Sequence, residues 1–406
     1  MSSLTDLNKF ELNKSGVYSA SDNNDFAYSD GAQAEQKLQH ILTTTNDLTS
    51  DSTELESQIC DWPTEYHLSS TRANLLRCLD LSGVTRVLEL GCGCGAISRY
   101  IGEQSHIQID SIEGSRSRAA LAALRCKDLD NVTISSANFN DIKFPENYYD
   151  LVLFVGVTEY AGRFSERETD EEALQDLLAI AHKSTTEQGV VVVAIENRTG
   201  LKYLHGATED HYGEPYVGIN NYLNGTGIKT YTKAEWQSQI AASGFSHSQF
   251  LYPFPDYKIP TTVIHDRALA NKDVEIELKK SLETIKSRDY LRPFDLGENE
   301  VKLWQGAYQA NVLGELANSF LILLAQTEKS LNELADFDIR QFPSTNVAFS
   351  QVLEPQTESD QGPKVDELSK QVIELQNQLN LLKHSRGWRW LERLRALNIP
   401  GLGRRQ

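Results

Sequence analysis

Residues 209–211 read Glu-Asp-His, with Glu196 and His205 shortly before them. An imidazole beside carboxylates has the makings of a general base, since the ring takes up a proton near neutral pH and a carboxylate orients it. His211 is the expected base, with Asp210 or Glu209 holding the ring, and Glu159 in Val157-Thr158-Glu159-Tyr160 is its rival. The same triplet, next to Gly213 and Pro215, could instead cap a helix or bind hydroxyl groups. A divalent ion on His211 would replace the base by lowering the pKa of an acceptor hydroxyl. No further ligand pair follows at metal-site spacing, so no metal is expected.

A second group of residues is suited to holding a ligand. Val87-Leu88-Glu89-Leu90-Gly91-Cys92-Gly93-Cys94-Gly95 is an apolar strand running into a glycine-rich turn, where a ligand can lie against bare backbone. Gly91, Gly93 and Ala96 alone also satisfy a dinucleotide fingerprint, which would make the chain an NAD(P)-dependent oxidoreductase. Glu89 argues against that, because an acid at the mouth of the strand repels a pyrophosphate and attracts an amino-acid ammonium. Glu113 closes the next strand, where it can accept both hydrogen bonds of a ribose diol. Asn138-Phe139 then offers an amide for an adenine edge and an aromatic face for its ring. Together these residues favour S-adenosylmethionine, held by Glu89, Gly91, Cys92, Gly93, Gly95, Glu113, Asn138 and Phe139. Arg72 is a candidate for gripping the cofactor's carboxylate with both arms of its guanidinium, or else is an exposed helix residue.

These residues need a frame that brings them to one edge. Arg86–Leu90, Ile107–Ile112, Val132–Ser135, Leu151–Val155 and Val190–Ile195 read as strands, separated by helical patterns. The alternation predicts an α/β fold, a Rossmann-like doubly wound and mostly parallel sheet over residues 61–262, with an insertion at 196–230. Residues 1–60, rich in Ser, Thr, Asn and Asp with one helix-like patch around Ala32–Leu42, are expected to be a polar extension with partial order at most. Residues 263–354 read as a mainly helical accessory region, with helices over Lys272–Arg288 and Ala307–Ala325, and 355–364 as a linker. Val365, Leu368, Val372, Leu375, Leu379 and Leu382 form a heptad seam, so 365–397 is expected to be a coiled coil running into a basic Trp/Arg tail helix. The seam implies a homo-oligomer, and the tail a contact with anionic lipid or a partner protein.

Residues 87–103, VLELGCGCGAISRYIGE, resemble the first motif of class I S-adenosylmethionine-dependent methyltransferases. The order Glu89, glycine turn, Glu113, Asn138 follows that family's scheme, with an amide at 138 where many members carry an acid. DWPTEYHLSSTRANLLRCL (61–79), AIENRTGLKYLHGATEDHYGEPYVGI (194–219) and FLYPFPDYKIP (250–260) are similar to methyltransferases encoded with or fused to glycosyltransferases of bacterial surface polysaccharides. Several members of that group end in a heptad helix and a Trp/Arg-rich tail. The resemblance implies a glycan or sugar substrate and glycosyltransferase partners. A sugar hydroxyl keeps its proton at neutral pH, which is why a base is sought beside the cofactor. The Asp/Asn-Pro-Pro-aromatic motif common in methyltransferases of nucleobase amines is absent after the fourth strand.

Composition narrows the alternatives. With 57 acidic against 39 basic side chains and a net charge of −18, the chain is a poor general nucleic-acid binder. No apolar run approaches the roughly 20 residues that span a bilayer, and no secretory leader is visible, so the expected location is cytoplasmic, peripheral at the inner face of the membrane. Five cysteines make no disulfide framework, and Cys92 and Cys94 lack zinc-site spacing. A non-catalytic scaffold for glycosyltransferases is the alternative from outside enzymology.

Overall fold

The computed structural model describes residues 10–20, 29, 31–223 and 227–343. The expected linker (355–364) and the coiled coil and tail helix (365–397) lie outside the described residues. Eleven strands among those described form one sheet: β1 (Phe10–Leu12), β2 (Tyr18–Ala20), β3 (Arg86–Leu90), β4 (Gln108–Glu113), β5 (Val132–Ser136), β6 (Tyr149–Val155), β7 (Thr185–Glu196), β8 (His247–Phe254), β9 (Thr262–His265), β10 (Ser319–Ala325) and β11 (Ile339–Gln341). Their spatial order is β1-β2-β5-β4-β3-β6-β7-β10-β8-β9-β11.

The five expected strands are β3 to β7, and they pair in parallel in the doubly wound order β5-β4-β3-β6-β7. The order reverses between β3 and β6, and a crevice opens at the carboxyl ends of strands at such a point. Continuous runs such as Leu151–Val155 and Val190–Ile195 form strands because helices cover the sheet on both sides. Alternation then divides each run between two cores. Leu88, Leu90, Val152, Phe154, Val191 and Val193 pack with Leu174 and Leu178 of the helix Asp170–Ser184. Val87, Leu151, Leu153, Val190 and Val192 pack with Ile97 and Ile101 of the helix Ala96–Gly102. The helix Asp170–Ser184 starts where Thr169 accepts from the Glu172 N–H, with three acids in its first turn and His182 and Lys183 in its last.

Beyond β7 the sheet turns antiparallel, and here the structure corrects the helix expected over Ala307–Ala325, while helices still outweigh strands among the described residues of 263–343. The segment Asn299–Gln309 is helical, but Ser319–Ala325, expected at the end of a helix, is β10 between β7 and β8. SFLILLA is a short apolar run with no periodicity to tell a helix from a buried strand. All seven of its residues are buried, and the open edges of β7 and β8 decide the outcome by pairing with its backbone.

The amino-terminal region bears out the helix-like patch at 32–42 but is more ordered and more buried than expected. Leu38, Ile41 and Leu42 recur at helical spacing in Ala32–Thr44 and bury themselves with Leu48, Leu55, Leu68 and Leu121. β2 pairs in parallel with β5, and Ser50 donates to Glu103 through N–H (2.7 Å) and hydroxyl (2.6 Å). Polar residues dominate the composition, but a few leucines, each contributing about 2 kcal/mol on burial, hold the helix to the domain.

Candidate active site

A cavity of about 300 Å³ lies at the carboxyl ends of β3 and β6. One half is made by the glycine turn. Gly91, Gly93 and Gly95 all have positive φ (81°, 57° and 83°). A side chain at Gly91 would collide with Val157 Cγ2, and one at Gly95 would stand 2.8 Å from Ala122 Cα on the helix Arg116–Arg125. Gly91 and Cys92 N–H groups both donate to the Ile112 carbonyl at the end of β4 (2.8 and 3.0 Å), which fixes the turn. Glu113 is held by the Gly93 N–H (2.7 Å) and the Ser115 N–H (2.9 Å), one on each carboxylate oxygen. Glu89 accepts from the hydroxyls of Ser98 and Ser111, and burial pushes its pKa up to about 7.

Two of the expected cofactor contacts are placed differently. Asn138 caps the following turn by accepting from the Asn140 N–H (3.0 Å), and the cavity wall is lined by Phe139 and Asn140 instead. Asn140, two residues later, lines the cavity on the 3-10 turn of residues 139–141, and its Nδ2 donates to the Phe164 carbonyl (3.4 Å). Arg72 lines the cavity but is buried, and its Nη1 donates to the carbonyls of Tyr257 and Lys258 (both 3.0 Å) while Nη2 donates to the Tyr66 hydroxyl (3.0 Å). The guanidinium fork is engaged by the protein, so Arg72 positions the 254–260 loop and is neither an exposed residue nor an open carboxylate clamp.

The other half of the cavity gathers side chains from distant segments. Glu159, on a 3-10 turn after β6, places Oε1 3.6 Å from His211 Nε2. His211 Nδ1 lies 2.9 Å from Glu209 Oε1, and Glu209 Oε2 accepts from the backbone N–H groups of His211 and Tyr212. Burial alone would pull the His211 pKa down, but the neighbouring carboxylates of Glu159, Glu209 and Glu196 carry it well above its ordinary value. Burial likewise raises Glu159, so this carboxyl and the His211 imidazole titrate as a pair. Glu209 orients the ring, and Asp210 turns away from it.

Asp210 belongs to a buried network that includes residues not singled out in the sequence. Its Oδ2 accepts from the Tyr203 hydroxyl (2.6 Å) and lies 3.4 Å from Lys202 Nζ and 3.1 Å from Lys258 Nζ. Lys202 also faces Asp256 (3.3 Å), which accepts from the Tyr290 hydroxyl (2.7 Å), and Lys258 pairs with Glu196. The two ammonium groups hold the Asp210 carboxyl well below the usual range despite burial. Among these groups Lys258 and Asp256 carried one signal, a Lys and an Asp flanking Tyr257 within the matching segment FLYPFPDYKIP. Tyr290 comes from the presumed accessory region, stacks on Trp62 with ring centroids 3.7 Å apart, and sits next to Asp289, which holds the insertion through Thr208 (2.6 and 2.7 Å). Residues 263–343 thus build part of the site wall.

Residues 87–183, the glycine turn and Glu159 among them, match the family described as Methyltransferase domain. This stretch is a class I methyltransferase domain. The match, with Glu89 beside the turn, favours S-adenosylmethionine over a nicotinamide dinucleotide as the cofactor. The side-chain-free cradle at Gly91 and Gly95, with Glu89 and Glu113 at its edge, fits that cofactor. The chain is 30% identical over 84 residues to cyclopropane-fatty-acyl-phospholipid synthase of Escherichia coli K12, a stretch covering 21% of each protein. The chain therefore spans about a fifth of the length of the curated relative it matches. Solved structures similar in fold include phosphoethanolamine N-methyltransferase 2 of Haemonchus contortus with S-adenosylmethionine, at 15% identity over 63% of this chain and 52% of that one (TM-score 0.37). Another is a SAM-dependent methyltransferase from Archaeoglobus fulgidus, at 15% identity over 64% of this chain and 96% of the other (TM-score 0.36).

Proposed function

We propose that the whole chain is an O-methyltransferase acting on a sugar hydroxyl or a glycan-linked intermediate of cell-surface polysaccharide synthesis. When bound, S-adenosylmethionine supplies a methyl group on a sulfonium, open to in-line attack. Glu89, Glu113, Phe139 and the glycine turn would hold it. The observation that carries the acceptor assignment is a set of buried carboxylate oxygens without hydrogen-bond partners, Glu159 Oε2, Glu196 Oε2 and Asp210 Oδ1, on residues lining the cavity. Buried acceptors left unpaired are costly, and a polyol brings several O–H donors to meet them. Tyr66, Tyr160, Tyr257 and Tyr290 supply aromatic walls of the kind that stack on sugar rings. The Glu159–His211–Glu209 cluster receives the hydroxyl proton as the oxygen is alkylated.

The resemblance of 61–79, 194–219 and 250–260 to glycosyltransferase-associated enzymes supports partners of that class. The heptad seam and basic tail of 365–397 support self-association in the cytoplasm and contact with the inner face of the membrane. No helix among the described residues is long and apolar enough to cross a membrane. The test is incubation with labelled S-adenosylmethionine and a panel of nucleotide sugars and lipid-linked glycans, read by mass spectrometry. Methylation of a sugar hydroxyl is expected, and deletion of 364–406 should leave transfer to a soluble acceptor intact. Transfer to amines alone would overturn the acceptor assignment.

A further inference from the structure

Glu159, Glu196 and His211 stand in three different segments, so their spacing in the chain suggests no metal site. In the fold each offers one ligand atom to a common space, the three atoms lying within 4.8 Å of one another. Glu159 and Glu196 are 2% and 1% exposed, and the Oε2 atom of each is buried with no hydrogen-bond partner. Lys258 satisfies Glu196 through Oε1 and leaves Oε2 unanswered. The histidine is prepared in the manner of a ligand. Its Nδ1 is bonded to Glu209 Oε1 at 2.9 Å, and Glu209 is anchored by two backbone N–H groups, so Nε2 is left directed at Glu159. A carboxylate behind the imidazole is the usual support of a metal-bound histidine, fixing the tautomer and raising the basicity of the coordinating nitrogen.

We propose that Glu159, Glu196 and His211 bind a divalent transition-metal cation. Ligand atoms about 2.1 Å from a cation stand roughly 3.0 to 3.4 Å apart when adjacent, so atoms within 4.8 Å of one another close by at most about 1.8 Å, a side-chain adjustment. Two carboxylates and one imidazole suit Mn²⁺ or Fe²⁺ better than a purely oxygen-seeking ion. Three protein ligands leave coordination positions open toward the cavity, as in catalytic sites. The inference rests on the proposed O-methylation only for the use of the site, where the cation would hold the acceptor hydroxyl oxygen and, by lowering its pKa, replace Glu159 and His211 as the means of removing its proton. Cation binding itself needs neither the cofactor nor an acceptor.

The experiment titrates Mn²⁺ into the full-length, chelator-treated protein and reads free Mn²⁺ by electron paramagnetic resonance. One site per chain is expected. Glu159→Gln, Glu196→Gln and Glu209→Gln should each lower the affinity by about tenfold or more, the last through loss of support behind His211. Calorimetric binding of S-adenosylmethionine to each variant reports the fold, and Glu209→Gln, which removes no ligand atom, keeps the test open if a ligand variant does not fold. Absence of a site in the wild-type protein, or equal binding by the variants, overturns the proposal. Because no acceptor is present, failure to methylate sugars would leave a positive cation result standing, and the reverse holds as well.

Discussion

The cofactor wall of the cavity comes largely from one stretch, residues 89–118 with the turn at 137–140, whereas the opposite wall collects side chains from 62–72, 155–161, 196, 210–211, 257–258 and 290–291. The first is chiefly backbone: positive-φ glycines, N–H groups and two acids held by near neighbours. The second is charge: Glu159, Glu196, Glu209, Asp210 and Asp256 arranged around His211, Lys202 and Lys258, nearly all buried. A backbone cradle tolerates change in its surroundings as long as the turn keeps its shape. A buried charge cluster does not, since removing one member leaves another uncompensated.

The sharpest separation of the two walls comes from Glu159→Gln. Its kcat should fall by ~10²-fold or more while affinity for S-adenosylmethionine stays within about threefold, because Glu159 acts on the acceptor hydroxyl, as base or as cation ligand, and the cradle is untouched. Single-turnover kinetics beside calorimetry measures both, and a parallel loss of cofactor binding would break the division. Asp210→Asn should destabilise the protein by about 3 kcal/mol, since Lys202 and Lys258 lose their shared partner. Urea unfolding checks this, and an unchanged midpoint would mean that the network is solvated.

Glu89 tests the cofactor wall through pH. Its folded pKa of about 7 lies above the ordinary 4.5, so folding favours the protonated form. The associated stability is fully present below pH 4.5 and is lost as pH rises through 7, a change of about 3 kcal/mol in the cofactor-free protein. Glu89→Gln should flatten that slope, as compared by denaturant unfolding at pH 5 and pH 8. Gly91→Ala should have the smallest effect, about 2 kcal/mol, from a left-handed backbone and contact with Val157, appearing as a lowered Tm and weaker cofactor binding.

The same contrast explains how much could be read in advance. Glu89, Gly91, Gly93, Gly95 and Glu113 were legible because the strand, turn and helix that position them are consecutive, and each answers to local geometry. Asn138 was misplaced because its side chain caps the 3-10 turn at Phe139–Asp141, which depends on the packing that follows it. Arg72 was misjudged because its partners, Tyr257 and Lys258, are remote in sequence. His211 was legible with Asp210 or Glu209 behind its ring, and the fold chose Glu209 because Asp210 is drawn to Lys202 and Lys258.

By itself the sequence determined the five parallel strands, the glycine turn and the acids beside it, because hydrophobic alternation and backbone freedom are properties of neighbouring residues. The tertiary structure decided that Ser319–Ala325 is a strand, that the leucines of 38–55 are core, and that Glu159, Glu196 and His211 share one space. Those outcomes depend on which edges and charges are left unsatisfied once the rest has folded, and that balance is written in no local pattern.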